Sequence, residues 1–181
     1  MTLTNGLVVM TPTTIDYSGT SASINADGSV TFSACTSLSL NGVFTGDYDN
    51  YMVALRGDVG AFVALEARLR ASGSDNSTAS SYVRQGLYAS STSVTGSRVT
   101  TTYTRLGNVD STQKYGITTY LFGPYLAQPT AIRSVSVLDP SSAYIEDYAS
   151  THNQSTAYDG ITIYPSASTF DGLLTVFGFN Q

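Results

Sequence analysis

The segment Val43–Arg70, VFTGDYDNYMVALRGDVGAFVALEARLR, carries the longest two-residue alternation in the chain and does most to limit the folds open to it. From Val63 the apolar residues Val63, Leu65, Ala67 and Leu69 fall on odd positions, while Glu66, Arg68 and Arg70 fall on even ones. In an extended strand this sends apolar groups to one face and charges to the other, whereas a helix scatters them around its circumference. Tyr51, Val53 and Leu55 repeat the pattern upstream, and the intervening Arg56-Gly57-Asp58-Val59-Gly60 is rich in turn formers. The reading is a hairpin of two long strands at the heart of a β-sandwich. The competing reading is an amphipathic helix over Ala61–Arg70, because Ala, Leu, Glu and Arg are good helix formers.

The rest of the chain repeats the theme of short strands between turn signals. Asp27-Gly28 sits between the alternating runs Ser23–Asn25 and Ser29–Phe32 and predicts a tight hairpin. Leu38 and Leu40 lead through Asn41-Gly42 into the central pair. Ser81–Tyr88 and Val99–Thr104 read as strands, and Ala71–Ala79 and Ala89–Ser97 as uncharged Ser/Thr/Gly loops. Gly116–Phe122, Ala131–Leu138 and Ala143–Tyr148 follow as strands, bounded by Gly123-Pro124, Asp139-Pro140 and a polar loop. Near the end Ile161 and Ile163 face one way, Pro165 stops that strand, and Ser166–Asp171 turns. Leu174 and Val176 then alternate with Leu173, Phe177 and Phe179, which stitches the C-terminal segment into a sheet. Around ten strands in this arrangement point to an all-β, antiparallel β-sandwich of jelly-roll-like form. Residues 1–18, with the short apolar run Leu7–Met10, form an N-terminal arm or edge strand, and residues 19–181 a single sandwich domain.

Composition narrows the function classes. Of the 181 residues 12% are charged, about half the ordinary share, so Ser, Thr, Asn, Tyr and Gly must keep the surface wet. Short uncharged side chains lose little rotamer entropy when another protein covers them, which favours a packed assembly. The net charge of −5 and single lysine, Lys114, offer no basic stripe for nucleic acid. The opening MTLTNGLVVMTPTT lacks a basic segment followed by a long apolar run, and no stretch approaches a membrane span, so neither a classical secretory signal nor membrane insertion is expected.

The sequence nominates no catalytic, cofactor-binding or metal residue. His152, the one histidine, lies in Ser150–Ser155, which reads as a solvated polar loop with no Gly-x-Ser-x-Gly elbow in the chain to serve it. Cys35 reads as a small residue near a strand end, and two Cys or His residues in all cannot furnish the usual zinc sets. Among the carboxylates Asp47, Asp49, Asp58, Glu66, Asp75, Asp110, Glu146, Asp147, Asp159 and Asp171, no pattern pairs two across a sugar as a glycosidase requires. Asp47-Tyr48-Asp49-Asn50 spaces oxygen ligands as a calcium loop begins, yet it lacks the following Gly and distal Glu, and turn capping explains it equally. Asn76-Ser77-Thr78 and Asn153-Gln154-Ser155 match a glycosylation acceptor pattern in a chain rich in these residues. Tyrosine is over-supplied, with thirteen against no tryptophan. Tyr48, Tyr51, Tyr82, Tyr88, Tyr125, Tyr144, Tyr148 and Tyr158 are the pool for sugar or protein contacts, half of them expected in the core.

Two blocks carry a resemblance. One is Phe44-x-Gly46-x-Tyr48-x-Asn50-Tyr51-x-Val53 with Leu69-Arg70-x-Ser72-Gly73-Ser74-Asp75. The other is Ala157-Tyr158-Asp159-Gly160-Ile161-Thr162 with Gly172-x-Leu174-x-Val176-Phe177-Gly178-Phe179. Together they resemble the small β-rich structural proteins of tailed bacteriophages, which occur as tail-fibre or minor tail domains and as head decoration proteins. The resemblance implies a jelly-roll-like sandwich, a homotrimer, and a non-enzymatic role in attachment or assembly within a virion built in the host cytoplasm. Its partners would be its own copies, other virion proteins, and a host surface glycan or protein. A tail-fibre role further predicts that Ala71–Ala79, Ala89–Ser97 and Thr151–Ala157 gather at one exposed end. Capsid decoration and a carbohydrate-binding module are the alternatives.

Overall fold

A computed structural model describes residues 6–111, 114–138 and 144–180. Met1–Asn5 of the expected arm, the Asp139-Pro140 turn and Ala143 lie outside the described residues. In chain order the strands are β1 (Val8–Val9), β2 (Thr14–Ser18), β3 (Ser21–Ile24), β4 (Val30–Cys35), β5 (Ser37–Asn41), β6 (Asn50–Val59), β7 (Val63–Ala71) and β8 (Ser74–Asp75). They continue as β9 (Tyr82–Ser90), β10 (Ser93–Thr101), β11 (Thr104–Val109), β12 (Tyr115–Phe122), β13 (Thr130–Leu138), β14 (Tyr144–His152), β15 (Gly160–Pro165) and β16 (Phe170–Phe179). No helix occurs among the described residues.

Two antiparallel sheets face each other, the expected sandwich. The larger runs β10-β9-β14-β13-β12-β6-β16-β4-β3, with β1 added beside β16. The smaller runs β11-β7-β15-β5-β2, with β8 added beside β7. Between them lies a core that includes Phe32, Leu38, Leu40, Phe44, Tyr51, Leu55, Leu65, Leu69, Leu121, Ile163, Phe170 and Leu174, all buried. The Asp27-Gly28 hairpin forms as expected: β3 pairs β4, Gly28 takes φ +83°, and the Asp27 carboxylate accepts bonds from the Ser29 N–H and hydroxyl at 3.0 and 2.6 Å.

The central hairpin does not form, nor does the alternative helix. β6 lies between β12 and β16 in the larger sheet, and β7 between β11 and β15 in the smaller one. The odd positions of both strands are apolar and buried, so each covers the other across the core, and the chain makes the crossing at Gly60–Phe62. A hairpin would have laid both apolar stripes on one sheet face and left them to be covered by something else. The Arg56–Val59 stretch, expected as a turn, is the end of β6. Gly57 there serves close approach and not reversal: it sits opposite Gly172 of β16, and a Cβ on it would stand 1.8 Å from the Asp171 carbonyl oxygen.

Two more expectations change. Ala89–Ser97 is no loop, because β9 and β10 pair in unbroken register around a two-residue turn at Ser91-Thr92, with Ser91 at φ 53°. Its Ser/Thr content suits a loop by composition, yet Thr and Val are also good strand formers. Val99–Thr104 is divided, β10 belonging to the larger sheet and β11 to the smaller. Among the described residues there are sixteen strands, several only two to five residues long, against the expected ten or so.

Because Gly57 meets backbone and not a movable side chain, Gly57→Ala is expected to force β6 and β16 apart and destabilise the fold by about 2–3 kcal/mol. Urea denaturation would show this as a lower midpoint with unchanged slope.

Candidate interaction surface

Strands β9, β13 and β14 are partly built inside out, their inward rows mixing Tyr82, Ile132 and Tyr148 with polar side chains. In β13 the serines Ser134 and Ser136 are buried while Val137 is 61% exposed and Val135 half-buried. In β14, Glu146 and Ser150 point inward and Ile145 is 57% exposed. In β9, Arg84 is buried and Leu87 is 52% exposed. Ordinary amphipathic strands do the reverse.

The inward groups of β13 and β14 form a hydrogen-bonded polar seam against β11, while buried Arg84 of β9 keeps Nε and Nη1 without a hydrogen-bond partner. Thr119 and Ser134 hydroxyls bond at 2.8 Å, and the Ser134 hydroxyl also donates to the Leu106 carbonyl at 2.6 Å. Thr104 bonds Ser150 at 2.7 Å. Glu146 accepts from the Asn108 N–H at 2.6 Å, the Asn108 amide, the Ser136 hydroxyl at 3.0 Å and the Tyr148 hydroxyl at 3.4 Å. A buried carboxylate with this many donors stays anchored, so the seam fixes which face of β13 and β14 turns inward. Arg84 stacks over the Tyr148 ring at 5.5 Å, and burial, then the neighbouring Arg105, holds its pKa below the usual arginine value. On β7, burial raises the Glu66 pKa against the opposing pull of Arg105, whose guanidinium lies 3.6 Å away.

The consequence appears on the outside of the larger sheet. Val137, Ile145, Ala89 and Val94 stand in one cross-strand row, with Leu87 diagonal to Ile145. Val94 is 71% exposed. Next to the row is a shallow depression of about 520 Å³ lined by Ala54, Arg56, Thr118, Val135, Val137 and Leu173. Tyr120, Phe122 and Phe179 form an aromatic group farther along the same face. Charge on this face lies in the Arg133–Asp147 pair, with contacts of 2.6 and 3.2 Å, in the Asp58–Lys114 pair, and on Arg56, Arg98 and Asp171. The opposite exterior, on the smaller sheet, is polar. There Arg70 is bonded to Ser39, Asn41, Asp75 and Thr162, with Asp16 at 3.6 Å.

The residues singled out from sequence are dispersed. His152 is not a loop residue; it ends β14, fully buried, its ring 4.1 Å from that of Tyr82 and its Nε2 2.5 Å from the Tyr158 hydroxyl. Strand pairing with β9 carried it inside, which the flanking polar residues hid. Cys35 is buried at the end of β4. Of the tyrosine pool, Tyr51, Tyr82, Tyr148 and Tyr158 are fully buried, Tyr48 and Tyr88 half-buried, and Tyr125 exposed. Asp58 pairs with Lys114, Asp75 with Arg70, and Asp171 accepts from Ser33 and the Ala34 N–H. Asp159 accepts from the Ser72 N–H, and Asp47 from the Thr45 hydroxyl. Among the described residues no three His, Cys, Asp or Glu side chains gather as metal ligands. The side chain of Asn76 donates to the Tyr158 hydroxyl and accepts from the Thr78 N–H, ordering its loop.

The three loops do not share one end. Asn76, Tyr82, His152 and Tyr158 touch, which joins Ala71–Ala79 to Thr151–Ala157. The Ser91-Thr92 turn lies at the far end of β9 from Tyr82.

The Tyr158 hydroxyl accepts from Asn76 and lies 2.5 Å from His152 Nε2. Burial pushes the His152 pKa down to about 4. The unfolded chain then binds a proton that the fold refuses, so this contribution is whole above about pH 6.5 and is lost as pH falls toward 4. A loss of about 3 kcal/mol is expected over that window, and His152→Gln should flatten it relative to the parent in paired urea titrations at pH 7 and 4.5.

Comparison with protein-family models, curated proteins and solved structures finds no match for the chain.

Proposed function

We propose that this chain is a non-enzymatic structural protein of a tailed-bacteriophage virion, a surface-displayed β-sandwich that works by being covered on one face. The observation that carries the reading is the patterning of β9, β13 and β14, which places Leu87, Val137 and Ile145 outward together on one sheet face. A soluble chain gains nothing from such residues in isolation, because each forgoes about 1.5–3 kcal/mol of burial. In a packed particle a neighbouring subunit supplies that burial. The loose likeness of Phe44–Val53 and Ala157–Phe179 to phage tail and head proteins points the same way. Within the virion the proposed positions are the tail, as a minor tail component, and the head, as capsid decoration; the three loops do not gather at one end as a tail-fibre tip requires.

The aromatic group Tyr120, Phe122 and Phe179 favours a second reading, carbohydrate binding, because ring faces stack on sugars. A glycan array probed with the purified chain separates the two. Binding that is lost in Tyr120→Ala supports the sugar reading.

Copy number in purified particles, measured by quantitative mass spectrometry, tests the main reading. A few to a few tens of copies fit the tail, several hundred would move the chain to the head, and absence from particles would remove the proposal. Val137→Lys combined with Ile145→Glu, an opposite-charge pair directly across β13 and β14, is expected to abolish incorporation while changing stability by under about 1 kcal/mol, since both side chains already face water in the free chain.

A further inference from the structure

The sandwich has four sheet edges, and three of them are blunted. β3 has four residues. β2 has five and carries Asp16, whose side chain is 67% exposed. β11 breaks register between Arg105 and Gly107. Natural sheets use short edges, charges and bulges in this way to discourage pairing with other chains.

β10 has none of these devices. It is nine residues long, holds unbroken register with β9, contains no proline, and bears one charge, Arg98. All its residues except Ser97 and Thr101 are exposed, so it overhangs the smaller sheet with both faces open. A strand with one neighbour and no packed face lacks the support that stabilises strands elsewhere.

The turn fixes which backbone groups are free. Ser90 and Ser93 close a two-residue turn, and such a closing pair exchanges both hydrogen bonds. Alternation then directs the N–H and C=O of Ser93, Thr95, Ser97, Val99 and Thr101 to β9. Those of Val94, Gly96, Arg98 and Thr100 point away from the molecule.

We infer that β10 pairs antiparallel with β10 of a second copy about a twofold axis at Ser97, fusing the two larger sheets into one. Ser97 is the midpoint of the strand, so this axis alone overlaps all nine residues. It sets Val94 against Thr100 and Gly96 against Arg98, so that every outward N–H meets an outward C=O. It also keeps the outer faces of both copies on the same side, which an axis between two residues would not. Side chains agree. Thr95 meets Val99, Val94 meets Thr100, and the lone arginine lies over a glycine, whereas an axis at Arg98 would oppose two guanidinium groups. No acidic residue lies in β9 or β10 to add repulsion. The overhang leaves space on the inner side for the second copy. This contact needs no virion, and it stands or falls apart from the proposed function.

Sedimentation equilibrium of the full chain at micromolar concentrations tests it. A species of twice 19.1 kDa is expected. Gly96 accepts a side chain, since a Cβ there meets nothing closer than 3.5 Å. Gly96→Arg opposes two like-charged pairs across the axis and should weaken the dimer about tenfold, and adding Arg98→Glu should restore it. In hydrogen exchange the amides of Gly96, Arg98 and Thr100 should gain protection as concentration rises, while those of Ser97 and Val99 stay protected throughout. A monomer at all concentrations, a trimer, or a dimer whose affinity ignores residue 96 would overturn the inference.

Discussion

The polar seam under β11 is the constraint on which the outward character of this protein depends. Glu146 is buried to 1% exposure and accepts four hydrogen bonds, from Asn108, Ser136 and Tyr148. Removing it from those donors would leave a carboxylate and several hydroxyls unpaired in a low-dielectric interior, a larger penalty than exposing a valine. Because side chains alternate strictly along a strand, holding Ser134, Ser136, Glu146 and Ser150 inward forces Val135, Val137 and Ile145 outward. The apolar exterior is thus the geometric counterpart of the polar interior.

The two halves of the sandwich therefore use different physics. Under β4, β6 and β16 the core is apolar, with Phe32, Leu55, Phe170 and Leu174 closing over Leu38, Leu65 and Ile163 of the opposing sheet. That half is held by area removed from water and by close backbone approach at Gly57 and Gly172. The other half adds directional bonds to the packing of Leu106, Val109, Ile117 and Ile132 in the same apolar core, and such bonds fix register more sharply than they add stability. On the smaller sheet Arg70 extends the same strategy to the outside, tying three strands and the β8 segment together through Ser39, Thr162 and Asp75.

Alternation made the strands legible, and with them the all-β antiparallel class, the Asp27-Gly28 hairpin and the facing of Leu174 and Val176 against Leu173 and Phe177. It did not reveal partners. β6 and β7 have matching patterns whether they lie side by side or face to face, since either arrangement buries the odd positions. Nor did it reveal which face is inside: Ser134-Val135-Ser136-Val137 reads identically in both orientations, and only the contacts of Glu146 with Asn108, far along the chain, decide. His152 was misplaced for the same reason. Its polar neighbours imply a loop, while its burial comes from Tyr82 and Tyr158, which no local window contains.

An exterior of this kind also explains the low charge. Lys and Glu on the outer rows would keep a lone chain soluble, but each costs about 1.5–2 kcal/mol of rotamer entropy when covered, and its desolvation adds more. Thr118, Thr175, Ala54, Ala149 and Gly116, which occupy those rows between the apolar residues, have almost nothing to lose. The one ion pair in the middle, Arg133–Asp147, is already neutralised within the chain and need not find a partner on whatever covers it. Arg70, Asp75 and Asp16 form a further charged cluster on the opposite sheet, where the Arg70 guanidinium is itself largely buried. The ion pairs Arg133–Asp147 and Asp58–Lys114 lie beside the apolar row, and the inward anchoring of Glu146 determines that this row, and not the serines, faces outward.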